Sequence, residues 1–207
     1  MTASDLFVKA LENAGVEYIF SLPGDENLHF MEAVRNSSIT FVLVRQEQAA
    51  GFMANAYALS TGKLGVAMAT LGAGATNLAT AVAQAKLGAL PVLYITGQKD
   101  IHDNHQGGYQ LVDIVQMMTP LTKLSKTVIS AEALPANAHD AIRLALEERR
   151  GPTHIELPED VAKQSISQDD GKHHHGVIPF TQPEKAVARA SSIAQAATLI
   201  NLSLIHI

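Results

Sequence analysis

Two hydrophobic rhythms alternate along the chain: unbroken apolar runs of strand length, and longer stretches whose apolar residues recur every three or four positions. Leu6, Phe7, Ala10, Leu11 and Ala14 share one helical face, with Ser4 or Asp5 as candidate caps and Gly15 as the stop. Residues 16–21 read as the first strand, Pro23-Gly24 as a turn, and 27–35 as a helix with Leu28, Met31 and Val34 inward. Residues 40–44 form a β-branched run that suits a buried parallel strand. A helix over 48–61 follows, in which Ala49, Ala50, Phe52, Met53, Ala56 and Tyr57 predict tight packing and Gly62 marks the end. A strand over 65–70 runs into Gly72-Ala73-Gly74-Ala75-Thr76-Asn77, and the alanine-rich helix 75–87 must lie close against a neighbour. Then come a strand (91–96), a polar loop (98–109), a short helix (111–118), a short strand (127–129), a helix capped by Ser130 and reaching about Arg149, and a strand (153–157) that completes the sheet. Parallel strands need crossover connections, so this alternation predicts an α/β fold: a parallel sheet with helices on both faces.

After Val161 the pattern breaks. A polar, glycine-containing stretch predicts a first domain over 1–164, a linker over 165–182 and the start of a second domain over 183–207. Helical periodicity holds over 183–200, whereas the closing residues 201–207 do not continue it and are expected to be non-native, the product of a truncated or misread coding sequence.

Composition changes this picture little. The chain has 207 residues, a formal charge of −5 and no cysteine, which removes disulfide frameworks and thiolate metal sites. Without a basic cluster there is no electrostatic footprint for nucleic acid. Residues 1–14 are too polar for a signal peptide and no apolar run reaches membrane-spanning length, so a cytoplasmic protein is the default expectation.

Candidate chemistry gathers where strands give way to helices. Glu47 follows the strand at 40–44 and sits in a helix's first turn, where a carboxylate either serves catalysis or simply complements the helix dipole. Gly72 and Gly74 bring backbone close to whatever lies above the sheet, and together they make two-thirds of a dinucleotide fingerprint, with Asp100 as its acidic ribose ligand. Asn77 stands where the third glycine belongs, which weakens that reading. His102 and His105 have metal-pair spacing but lack two further ligands, so no metal site is assigned, and His173 to His175 read as solvated linker.

The string RQEQAAGFMANAYALSTGKLGVAMATLGAGATN over 45–77 resembles the N-terminal pyrimidine-binding domain of thiamine diphosphate-dependent enzymes of the acetolactate synthase group, where RHEQ is followed by GPGATN. PGDENL at 23–28, PVLYITGQ at 91–98 and GPTHIELPEDV at 151–161 extend the resemblance over roughly the first four-fifths of the chain. Gln46 replaces the usual histidine and Ala73 the usual proline; the glutamate remains. The resemblance implies the thiamine diphosphate-binding fold, with Glu47 hydrogen-bonded to the pyrimidine ring nitrogen. Pro23, Gly24, Ala73, Gly74 and Asn77 then line that ring. It implies Gln110 near the substrate, the bland alternative being a helix-start amide, and it makes Asp25 a second candidate, because related 2-oxo acid decarboxylases carry an acidic side chain in that turn. Residues 183–200 resemble the opening helix of the central domain in this group. The implied reaction joins two pyruvates to acetolactate with loss of carbon dioxide, in a homodimer or homotetramer. The alternatives are a 2-oxo acid decarboxylase releasing an aldehyde, or a non-catalytic isolated domain. Magnesium ligands are expected in a C-terminal domain beyond this chain, FAD is left open, and the chain by itself is expected to be inactive.

Overall fold

The computed structural model describes residues 1–103, 108–166, 178–183 and 187–202. The chain opens with α1 (Ala3–Asn13), β1 (Tyr18–Ser21), α2 (Leu28–Arg35), β2 (Thr40–Leu43), α3 (Glu47–Thr61), β3 (Gly65–Ala69), α4 (Gly72–Asn77), α5 (Ala79–Leu87) and β4 (Val92–Gln98). It continues with α6 (Ile114–Met118), β5 (Ser125–Thr127), α7 (Leu134–Leu146), β6 (Thr153–Pro158), α8 (Glu159–Lys163) and α9 (Ala190–Leu202). The six strands form one sheet in the order β2-β1-β3-β4-β6-β5, and every pairing is parallel. The α/β fold read from the sequence is therefore the observed one.

Alternation along the central strands separates two cores. Val66, Met68, Leu93, Ile95 and Ile155 face α1, α2, α7 and α8, where Phe7 meets Phe30 edge-on at 5.4 Å. Ala67, Ala69, Val92 and Tyr94 face α3 and α5, whose buried positions include Ala50, Ala54, Ala58, Ala81 and Ala85. A Cβ added at Gly51 would lie 2.5 Å from that of Ala81, and one at Gly65 would lie 2.3 Å from the Ala54 carbonyl oxygen. The alanine-rich segment does press against its neighbours, and α3 rests almost directly on β3.

Several local expectations give way to tertiary context. Thr2, not Ser4 or Asp5, caps α1: its hydroxyl accepts from the Asp5 N–H (3.2 Å) while the Asp5 carboxylate accepts from the Thr2 N–H (2.8 Å). Ser4 instead turns inward and donates to the Ala162 carbonyl at 2.8 Å. In α2 the buried face is Phe30, Ala33 and Val34, with Met31 only partly covered and Leu28 exposed, because a 3-10 turn over Asp25–Asn27 resets the helical phase. β2 is an edge strand, so its β-branched run is only half covered and Leu43 stands in solvent. Phe52 and Met53 of α3 also point outward, the tight contact being made by Ala50, Gly51, Ala54, Asn55 and Ala58.

Helix 75–87 is two helices, broken at Leu78, and α6 starts only at Ile114, capped by the Asp113 carboxylate, which accepts from the Gln116 N–H at 2.8 Å. The strand expected at 127–129 lies at Ser125–Thr127 and forms the outer edge beyond β6. Helix α7 begins at Leu134 and ends at Leu146; Ser130 serves only the turn before it. Gly62 ends α3 as expected, in the left-handed conformation at φ 72° that only glycine adopts without strain.

Ile166 is buried and Phe180 packs partly on the core, while α9 occupies a shorter stretch than its periodicity predicts. Among the described residues no helix is long and apolar enough to cross a membrane. His105, His173 to His175 and residues 203–207 lie outside the described residues.

Candidate active site

Parallel topology sends the carboxyl ends of β1, β3 and β4 to the same edge of the sheet, and the turns that follow them meet there. Beside them, β2 passes into α3 through Arg45 and Gln46, and the Gln46 side chain caps the helix by accepting from the Ala49 N–H at 3.0 Å. Glu47 is the first residue of α3 and is 8% exposed. Its Oε2 accepts a hydrogen bond of 2.9 Å from Asn77 Nδ2, at the last position of α4. Its Oε1 borders Gly74: a Cβ there would sit 3.2 Å from that oxygen and 2.8 Å from Thr70 Cγ2. One carboxylate oxygen is thus tied down while the other faces a space that glycine alone leaves clear.

Gly72, at φ 54°, packs against Gln110, whose carbonyl oxygen would be 2.4 Å from an added Cβ. Gln110 itself has a positive φ of 58°, is exposed, and donates from Nε2 to the Tyr109 hydroxyl at 3.1 Å. It precedes α6 by several residues, so it is not a helix-start amide. Gly24 closes against Thr70, its added Cβ meeting Thr70 Cβ at 2.6 Å, while Pro23 and Asp25 remain exposed beside it. Glu47, Gly24, Gly74, Asn77 and the Gln110 backbone are therefore joined by contacts around one edge of the sheet. Ala73 is exposed on the same turn.

Asp100 makes an ion pair with Lys163 at 3.4 Å, and the Asn77 side chain is directed at Glu47; neither arrangement supports the dinucleotide alternative. His102 is exposed on a 3-10 turn, and among the described residues no group of three or more His, Cys, Asp or Glu side chains is arranged to hold a metal ion.

Three polar groups that the sequence did not single out stand at or beneath this edge. Glu26, next to Asp25, accepts from the Thr70 hydroxyl and from Lys99 Nζ at 2.7 Å. Burial alone would raise its carboxyl, but the bonds from Lys99 and Thr70 outweigh it and hold the group below the usual carboxylate range. Glu156 is buried on β6 and accepts from Thr127 Oγ1 (2.8 Å) and Gln98 Nε2 (3.2 Å); burial pushes it upward. His154 is wholly buried between Ser125 and Thr96, and burial lowers it to about 3, so the ring is neutral. Ser125 Oγ donates to the Val115 carbonyl at 3.1 Å, so His154 Nδ1–H donates to Ser125 (2.8 Å) and Nε2 accepts from Thr96 (2.9 Å). The only sequence signal for these groups is polar residues inside otherwise apolar strands, and an acidic residue doubled in a tight turn.

A family model described as thiamine pyrophosphate enzyme, N-terminal TPP binding domain, matches residues 1–117. The chain is 35% identical to a probable acetolactate synthase large subunit of Methanocaldococcus jannaschii, over 97% of this chain and 34% of that protein. It is 37% identical to the acetolactate synthase isozyme 1 large subunit of Escherichia coli K12, over 97% of this chain and 35% of that one. With a chloroplastic acetolactate synthase of Arabidopsis thaliana the identity is 38%, over 78% of this chain and 24% of the relative. The chain spans about a quarter to a third of the length of the curated relatives it matches.

Proposed function

Because the chain belongs to the thiamine pyrophosphate enzyme family by its N-terminal TPP binding domain, we propose that it holds the pyrimidine ring of thiamine diphosphate against Glu47, within a longer enzyme that converts two pyruvates to acetolactate and carbon dioxide. The observation that carries this reading is the divided Glu47 carboxylate. Asn77 holds one oxygen at 2.9 Å, and the other opens onto the space over Gly74 that a Cβ would fill. A flat ring fits a shelf without a side chain, and a carboxyl fixed at one oxygen can exchange a proton at the other with a ring nitrogen. When bound, thiamine diphosphate supplies the nucleophilic carbon that attacks and decarboxylates a 2-oxo acid.

The rest of the site orients and encloses. Pro23, Gly24, Ala73 and Gly74 form the walls, with the Gln110 backbone closing over Gly72. Gln110 and Asp25 are exposed at this edge, and theirs are the side chains we assign to the substrate. Magnesium would be held with the diphosphate outside residues 1–207, in a homodimer or homotetramer.

The test is Glu47→Gln in the longer enzyme. The neutral amide keeps the volume and the bond to Asn77 but cannot exchange a proton, so turnover should fall by roughly a hundredfold or more, with the unfolding midpoint little changed. Proton exchange at the thiazolium carbon that is as fast as in the unmodified enzyme would overturn the reading.

A further inference from the structure

The turn after β1 and the turn after β3 meet at Thr70. Thr70 lies between them: its Cβ would be 2.6 Å from a Cβ on Gly24, and its Cγ2 2.8 Å from one on Gly74. Which way that methyl points is set by the hydroxyl, and the hydroxyl donates to Glu26 Oε2. The Glu26 side chain is 10% exposed and its other oxygen takes the Lys99 ammonium at 2.7 Å. Lys99 is fixed at its backbone, where its N–H donates to Gln98 Oε1 at 3.0 Å, and Gln98 is anchored in turn by the buried Glu156 at 3.2 Å.

A threonine side chain has three staggered states, and only some of them put the methyl against Gly74. The Glu26 carboxylate selects among them. Gly74 forms the floor beside Glu47 Oε1, so the height of that floor follows from the Thr70 rotamer. We propose that Glu26, paired with Lys99, is a positioning residue: by fixing the Thr70 rotamer it sets the glycine turn against which the Glu47 carboxylate works. The proposal rests on Glu47 being the working carboxylate of this site. Lys99 is not itself an anion subsite, because its ammonium is taken by Glu26 Oε1 at 2.7 Å, and that bond is the main reason its charged form is favoured, with Glu159 and Asp25 adding to it.

The test uses the 207-residue chain, isotopically labelled and without cofactor, so that failure of the cofactor reading and failure of this one are separate results. NMR reads two local reporters: the Asn77 side-chain amide, which donates to Glu47, and hydrogen exchange at the Gly74 N–H, which donates to the Leu71 carbonyl at 3.2 Å. Glu26→Gln weakens the bond to Lys99. Thr70→Ser keeps the hydroxyl and removes the methyl. Both should shift the Asn77 amide and speed exchange at Gly74 at least about tenfold, with the Leu11 amide in the opposite core unchanged. Lys99→Met should do the same and Lys99→Arg should restore both signals. Lys163→Met, which removes the separate pair with Asp100, should move neither. Unaltered Asn77 and Gly74 signals in Glu26→Gln or Thr70→Ser would overturn the proposal. So would acceleration of Leu11 together with Gly74, which signals general loosening. If Glu26→Gln does not fold, Thr70→Ser decides alone.

Discussion

On one side of the sheet Phe7, Leu11 and Phe30 pack over Val66, Met68, Leu93 and Ile95; on the other, Ala50, Ala54, Ala58, Ala81 and Ala85 pack over Ala67 and Ala69. The first side buries many methylene groups, each worth about 0.8 kcal/mol, and supplies most of the hydrophobic stabilisation. The second buries little per residue, but its small side chains let α3 lie almost on the backbone of β3. That closeness brings the first turn of α3, with Glu47, over the end of β3. Bulk and precision are thus separated: one face holds the domain together, the other fixes distances around the carboxylate.

Changes that strike each face should sharpen the contrast. Phe7→Ala opens a cavity among large residues and should cost about 3–5 kcal/mol in urea unfolding, the largest effect expected. Gly51→Val on the other face adds volume where 2.5 Å separates a new Cβ from that of Ala81. It should cost about 2–3 kcal/mol. It should also pry Asn55 from the Ala81 carbonyl and from the Tyr94 hydroxyl, visible as a changed tyrosine near-ultraviolet signal that Phe7→Ala leaves in place.

The third and smallest effect concerns pH. Burial keeps His154 neutral down to about 3, whereas imidazole in the unfolded chain titrates near about 6.5. Between those values the unfolded chain binds a proton that the folded chain refuses, so stability falls as pH drops below about 6.5. By pH 5 the loss from this group should be about 2 kcal/mol. His154→Asn should flatten the slope between pH 7 and 5; an unchanged slope would show that the group does not titrate in this way.

Strand number, parallel direction and helices on both faces were legible because apolar runs and helical spacing report burial directly, as at Gly65–Ala69 and Ala3–Asn13. The phase of α2 was not, since Leu28 and Phe30 are equally apolar and the preceding 3-10 turn decides which one faces inward. The edge position of β2 was hidden for a similar reason: strand order is a long-range property, and Thr40–Leu43 would read the same in the middle of the sheet. That Glu47 and the glycine turn meet at one edge was legible because chain neighbours carry the signal. Glu26, Thr70 and Lys99 were not, because three strand ends distant in sequence must converge before those polar residues acquire one another as partners.

Thr2 pairs with Ser165 as an antiparallel bridge, flanked by bonds of 2.9 Å from the Ala3 N–H to the Gln164 carbonyl and from the Ile166 N–H to the Met1 carbonyl. Helix α1 leads into β1 and α8 follows β6, so this seam lies toward the carboxyl edge of the sheet, the edge that carries Glu47. Main-chain bonds thus fasten residues 1–3 to residues 164–166 on the same side as the site. Removing Met1 and Thr2 would therefore strip the cap from α1 and the partner from the Ile166 N–H in one step.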